Sequence, residues 1–156
     1  MAQKIMVAFD NSENAMRAVE FVARSFPAED KIVLFHVLSD SAVLCDMHSP
    51  ELAEYFIAQQ SNFCALEEKK KEFVREAMVK AKAVLVGAGF PEANIEFKLE
   101  TKKRGIARDI INEAGDGYSI VVIGRRGLSA IAEFFIGSVS QKVLNSAKNV
   151  AVLIVS

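Results

Sequence analysis

The sequence predicts an α/β fold: a single doubly wound, Rossmann-like sheet of five parallel strands with helices on both faces. Three observations predict it. Short, nearly continuous apolar runs recur along the chain, KIMVAF at 4–9, IVLFHVL at 32–38, SIVVI at 119–123 and VAVLIV at 150–155. Such runs suit strands buried on both faces, as in parallel sheets. Between them lie stretches with apolar residues at helical spacing, so strand and helix alternate strictly, and turn or cap residues mark each change.

Each element follows from local chemistry. The first strand, Lys4 to Phe9, ends at Asp10-Asn11-Ser12, where Asp10 or Ser12 can cap a helix. Ala15, Ala18, Val19, Val22 and Ala23 give that helix an apolar face up to Pro27. The second strand runs from Ile32 to Leu38, and residues 39–50, with their Ser, Asp, His and Pro, read as a loop. A long helix is expected from Pro50 to Val86, with Phe63, Leu66, Phe73, Ala77, Ala81 and Val84 as its stripe and a break or bend near Ser61-Asn62. Gly87 and Gly89 close it and Pro91 prevents its resumption. Ile95 to Leu99 alternates like a half-exposed third strand, and Arg104 to Ala114 is a short helix ending at Gly115. The fourth strand, 119–123, leads into a loop from Gly124 to Glu133, a helix from Phe135 to Ser146 and the last strand, 150–155. Right-handed crossovers wind such a chain on both faces of the sheet. With strand order 3-2-1-4-5, the ligand crevice lies at the carboxyl ends of the first and fourth strands, where the order reverses.

Composition narrows the function classes. The chain has 156 residues and 51% apolar content, enough for a core without metals or disulfides. With 19 basic and 20 acidic residues, nothing favours nucleic acid or an anionic membrane as partner. No apolar run approaches the ~20 residues of a membrane helix, and MAQKIMVAFD lacks the features of a signal peptide. Cys45 and Cys64 form no CxxC pair, so free thiols and a cytoplasmic location are the expectation. No linker, repeat or second domain is visible, and residues 1–156 are expected to form one domain.

Two segments with special residues converge on the crevice. One is Asp10-Asn11-Ser12. The other reads GRRGLSAIAEFFIGSVS from Gly124 to Ser140. Its glycines allow backbone amides close to an anion, and the helix that begins near Gly137 presents unpaired N–H groups and a favourable dipole end. The hydroxyls of Ser138 and Ser140 can donate to phosphate oxygens, and Arg125 and Arg126 add charge. The alternative for the same glycines is plain turn and cap formation. His36 reads as a satisfied core histidine rather than a ligand. Cys45, Asp46 and His48 make too small a cluster for a metal site. Lys69-Lys70-Lys71 is a solvated helix face, and Lys102-Lys103-Arg104 is either a solvated turn or an added attraction for phosphate. No nucleophile–base pair, GxSxG elbow, HExxH or Walker A sequence is present. No catalytic or metal-ligating residue is therefore assigned.

The pattern G-x2-G-x9-G-[ST] after the fourth strand resembles the signature of nucleotide-binding universal stress proteins, the ATP-binding branch of the UspA-like family. IMVAFDNSENAMRAVEFV resembles that family's opening strand, turn and helix, FHVL the end of its second strand, and GSVSQKVLNSAKNVAVLIV its closing helix and dimer-forming strand. Asn11 stands where the family commonly has Gly. The resemblance implies a single nucleotide-binding domain over 1–156 with ATP as ligand, alone or with Mg or Mn. It implies that Asp10 contacts the ribose or base side, and that Ala8, Phe9 and Val37 line the adenine pocket. Ile123, Gly124, Arg126 and Gly127 would run beside ribose and phosphates, with Gly137, Ser138, Val139 and Ser140 on the phosphate chain. It also implies a homodimer through the last strand and a nucleotide-dependent switch in stress response, acting on a protein partner. The alternatives are a slow ATPase or phosphotransfer enzyme, and a nucleotide-free interaction module.

Overall fold

The computed structural model of the chain describes residues 1–38, 45, 54–125 and 136–156. Strand β1 is Lys4–Ala8, helix α1 Glu13–Ser25 and strand β2 Lys31–Leu38. Helix α2 is Glu54–Gly87, strand β3 Ile95–Thr101 and helix α3 Ile106–Ala114. Strand β4 is Ile120–Gly124, helix α4 Ser138–Ser146 and strand β5 Ala151–Val155. The strands form one sheet in the order β3-β2-β1-β4-β5, and every pairing is parallel. This is the predicted strand order, and β1 and β4, paired Ala8 to Ile123, flank its reversal.

Alternation along each strand gives the sheet two apolar faces. Ile5, Val7, Ile32 and Leu34 pack with α1 and with Val74, Met78, Ala81 and Leu85 of α2. Met6, Val33, Phe35 and Val121 pack with Ala107, Ile110 and Ala114 of α3 and Val143 of α4. Helices therefore cover both faces, as the apolar runs demand.

Helix α1 starts where the sequence suggests. Ser12 is its cap, and the Ser12 hydroxyl accepts from Ala15 N–H at 3.2 Å. Helix α3 is started differently. Asp109, inside the helix and buried, accepts from Lys103 N–H at 2.8 Å and Arg104 N–H at 3.1 Å. The carboxylate thus holds the Lys102-Lys103-Arg104 turn through its backbone. Far from the crevice, Glu113 of α3 accepts from Lys98 Nζ at 2.7 Å and from the Tyr118 hydroxyl at 2.8 Å. Burial alone raises the pKa of Glu113, but these partners outweigh it and hold the carboxyl below its usual range.

Two expectations are corrected, the apolar stripe of helix α2 and the free thiols. Helix α2 is continuous through Ser61-Asn62, with no break there. At 34 residues it is about 51 Å long, far longer than any strand beneath it. Its expected stripe is only partly right. Ala77, Ala81 and Val84 reach the core, whereas Phe63, Leu66 and Phe73 are 40%, 52% and 56% exposed. Nor are the thiols free. Cys45 and Cys64 form a disulfide, with Cα atoms 5.8 Å apart. That bond ties the segment after β2 to the first half of α2. No helix among the described residues is long and apolar enough to cross a membrane.

Candidate functional site

The crevice is built from four segment ends. Phe9 follows β1 and stays attached to the sheet, its N–H donating to Phe35 O at 2.8 Å. Asp10 then turns the chain, and its Oδ1 accepts from Ser12 N–H at 2.9 Å. This Asx turn delivers the chain directly into the cap of α1. Ala8 is half-buried, Phe9 buried and Asp10 half-buried at this rim. Val37, near the end of β2, is buried at 7% exposure.

One strand away, β4 ends in buried Ile123 and Gly124. The geometry gives Gly124 a reason of its own. A Cβ there would stand 2.9 Å from the carbonyl carbon, carbonyl oxygen and Cβ of Asn14 in the first turn of α1. Gly124 therefore lets the start of α1 settle on the end of β4. This contact between protein segments by itself excludes a side chain.

The two ends of the glycine-rich segment meet. Gly137 N–H donates to Arg125 O at 2.7 Å, and Arg125 N–H donates to Val155 O at 2.7 Å. The Ser140 hydroxyl, buried, donates to Gly124 O at 2.8 Å. A hydroxyl has one proton, so Ser140 spends it on seating α4 against β4 and not on a phosphate. Ser138 is exposed, and Val139 and Gly137 are half-buried at the same helix start. The first N–H groups of α4 have no partner inside the helix. Arg126 and Gly127, expected at the site, lie outside the described residues, as do Asp46 and His48.

His36 is satisfied, as the sequence leads one to expect, and its partner lies at this rim. It is half-buried on β2, and its Nδ1 lies 2.8 Å from Phe9 O. A carbonyl only accepts, so Nδ1 carries the proton and Nε2 is the bare nitrogen. Burial lowers its pKa below the ordinary histidine value, against the opposing effects of the Phe9 carbonyl and the Asp10 charge. The unfolded chain therefore holds a proton on this ring more readily than the native one. The stabilisation is fully present above the ordinary histidine pKa of about 6.5 and is lost as pH falls through the lower native value. We expect stability to drop between pH 7 and pH 5, with at most about 1.4 kcal/mol per pH unit from this one proton. Urea titrations across that range check it, and a His36→Asn variant, which cannot titrate, should show a flatter slope.

Comparison with known proteins places this site in context. The sequence matches the universal stress protein family over residues 1–156. The chain belongs to the universal stress protein family. A curated relative, universal stress protein YxiE of Bacillus subtilis, is 30% identical over 92% of this chain and 92% of its own length. A universal stress protein of Mycolicibacterium smegmatis is 26% identical over 96% of this chain, which spans only 47% of that relative. Among solved structures, a universal stress protein in complex with cAMP is 24% identical, covers 99% of this chain and 96% of its own, and superposes with a TM-score of 0.60. That last likeness shows the fold.

Proposed function

We propose that this universal stress protein binds an adenine nucleotide, ATP in the first place, in the crevice between the ends of β1 and β4. The observation that carries the proposal is the seating of α4: through Gly137 on Arg125 and Ser140 on Gly124, its N-terminus stands at the end of β4, one strand from Asp10. Unpaired helix N–H groups with the exposed Ser138 hydroxyl suit a phosphate chain. Asp10 suits a ribose hydroxyl, and Ala8, Phe9, Val37 and Ile123 supply an apolar wall for a base. Arg126 and Gly127 complete the set by resemblance, and the amides of Val139 and Ser140 take the place of the Ser140 hydroxyl. The cAMP complex of a similar fold supports a nucleotide as the ligand class. Mg or Mn is proposed only as a companion of the phosphates. Among the described residues no group of three or more His, Cys, Asp or Glu is placed to hold a metal ion.

The wider reading is a cytoplasmic homodimer, joined through β5 at the sheet edge, whose nucleotide state biases a protein partner. An unpaired edge strand such as β5, with Val152, Leu153 and Ile154 half-buried, favours pairing with another chain. A nucleotide acts as a switch only where two conformations bind it unequally. Calorimetric titration of nucleotide-stripped protein with MgATP, ATP and cAMP tests the proposal. Binding weakened tenfold or more, about 1.4 kcal/mol, in Asp10→Ala and Ser138→Ala supports it. Absence of binding by all three, with no nucleotide carried through purification, overturns it.

A further inference from the structure

Resting on that nucleotide-binding reading, we propose that His36 is the positioning residue of the crevice: its imidazole holds the Phe9 carbonyl and so fixes the turn that presents Asp10. The Phe9 N–H bond to Phe35 O shows that the polar backbone groups of Phe35 face β1. Two residues on, those of Val37 face the same side. In a ladder that simply continued, Val37 N–H would donate to Phe9 O. Instead β1 ends at Ala8, and the ring of His36 takes the carbonyl at 2.8 Å.

This substitution of a side chain for a backbone donor has two results. The Phe9–Asp10 peptide plane is set by His36, so the direction in which Asp10 leaves the sheet depends on one ring nitrogen. From there the order passes on by Asp10 Oδ1 to Ser12 N–H and by Ser12 Oγ to Ala15 N–H, reaching the cap of α1. The second result is that the Val37 amide, no longer matched to Phe9, stays directed toward the crevice, where the proposed base would lie. A histidine that only fills space would need neither a particular tautomer nor a donor at Nδ1.

Three variants separate these roles. His36→Asn keeps an N–H close to the Nδ1 position, His36→Gln moves it outward to the Nε2 position, and His36→Leu removes it at similar volume. We expect MgATP affinity to fall about tenfold in His36→Leu and His36→Gln, the loss of one hydrogen bond, and to return close to wild type in His36→Asn. Should His36→Leu fail to fold, the contrast between Asn and Gln decides the matter. Nitrogen-15 NMR of the nucleotide-free protein should show His36 protonated at Nδ1, and hydrogen exchange of the Ser12 amide should speed up in the Gln and Leu variants but not in the Asn variant. Those two readouts do not depend on nucleotide. If they appear while MgATP fails to bind the wild type, the positioning of the turn stands and the nucleotide reading falls. An Nε2–H tautomer, or equal Ser12 exchange and equal affinity in all three variants, overturns the proposal.

Discussion

Gly124→Ala should lower unfolding free energy by about 2–3 kcal/mol, and Gly124→Val should cost more, because both place a carbon where the first turn of α1 already lies. The Cβ would stand 2.9 Å from three atoms of Asn14, two of them backbone. A flexible side chain could swing away, but a helix turn cannot. It is held by Ser12 capping Ala15 and, through Asp10, by the end of β1. The strain must be met by tilting α1 or displacing β4, and overpacking of this kind typically costs 1–3 kcal/mol. For a chain of this size, that corresponds to a Tm drop of several degrees. Urea unfolding of the variants checks it. Adding Asn14→Ala to Gly124→Ala should restore little, since two of the three atoms belong to the backbone. Full recovery in the double variant would show that the Asn14 side chain, not the helix turn, sets the space.

The prediction also shows how far the sequence carries. A glycine directly after a buried strand signals a close approach, and Gly124 makes one. Sequence spacing offers an anion or a plain turn as the reason, and the structure adds Asn14, because only the packing of α1 across β4 shows which protein group arrives. Strand order and the meeting of the Asp10 turn with the glycine-rich segment were legible, since strand–helix alternation and right-handed crossovers leave few arrangements. The seating of α4 was half legible. Gly137 and Ser138 mark its start, but a serine at the third helical position can face solvent or the strand, and Ser140 faces the strand. His36 was legible as a satisfied histidine, but its partner was not, because the Phe9 carbonyl comes from the end of β1 beside it. In α2, Phe63, Leu66 and Phe73 continue the helical period, but among the described residues of the helix burial begins only at Val74. Period sets which residues share a face, while packing sets where that face is buried.

Reduction of the Cys45–Cys64 disulfide should lower stability by about 3 kcal/mol, the loop-entropy value for a closed loop of this length. The two cysteines are 19 residues apart in sequence. In the oxidised unfolded chain, that loop is already closed. Cutting the bond lets the unfolded chain explore more conformations while the native contacts of β2 and the second half of α2 are unchanged. The native side has little with which to compensate: from Ile57 to Phe73, α2 contains no buried residue, so the first described core contact of the helix is Val74. The bond therefore ties down the first half of a helix whose described buried residues begin at Val74. Urea unfolding of the oxidised protein, of the protein in a dithiol reductant, and of Cys64→Ser should give one high midpoint and two equal lower ones, with the variant insensitive to reductant. Equal global stability in all three, joined to faster amide exchange between residues 57 and 73 on reduction, would show that the start of α2 opens apart from the sheet. In a reducing cytoplasm the thiol form is favoured, so alkylation and mass measurement on protein trapped in cells would show which of the two stabilities applies there.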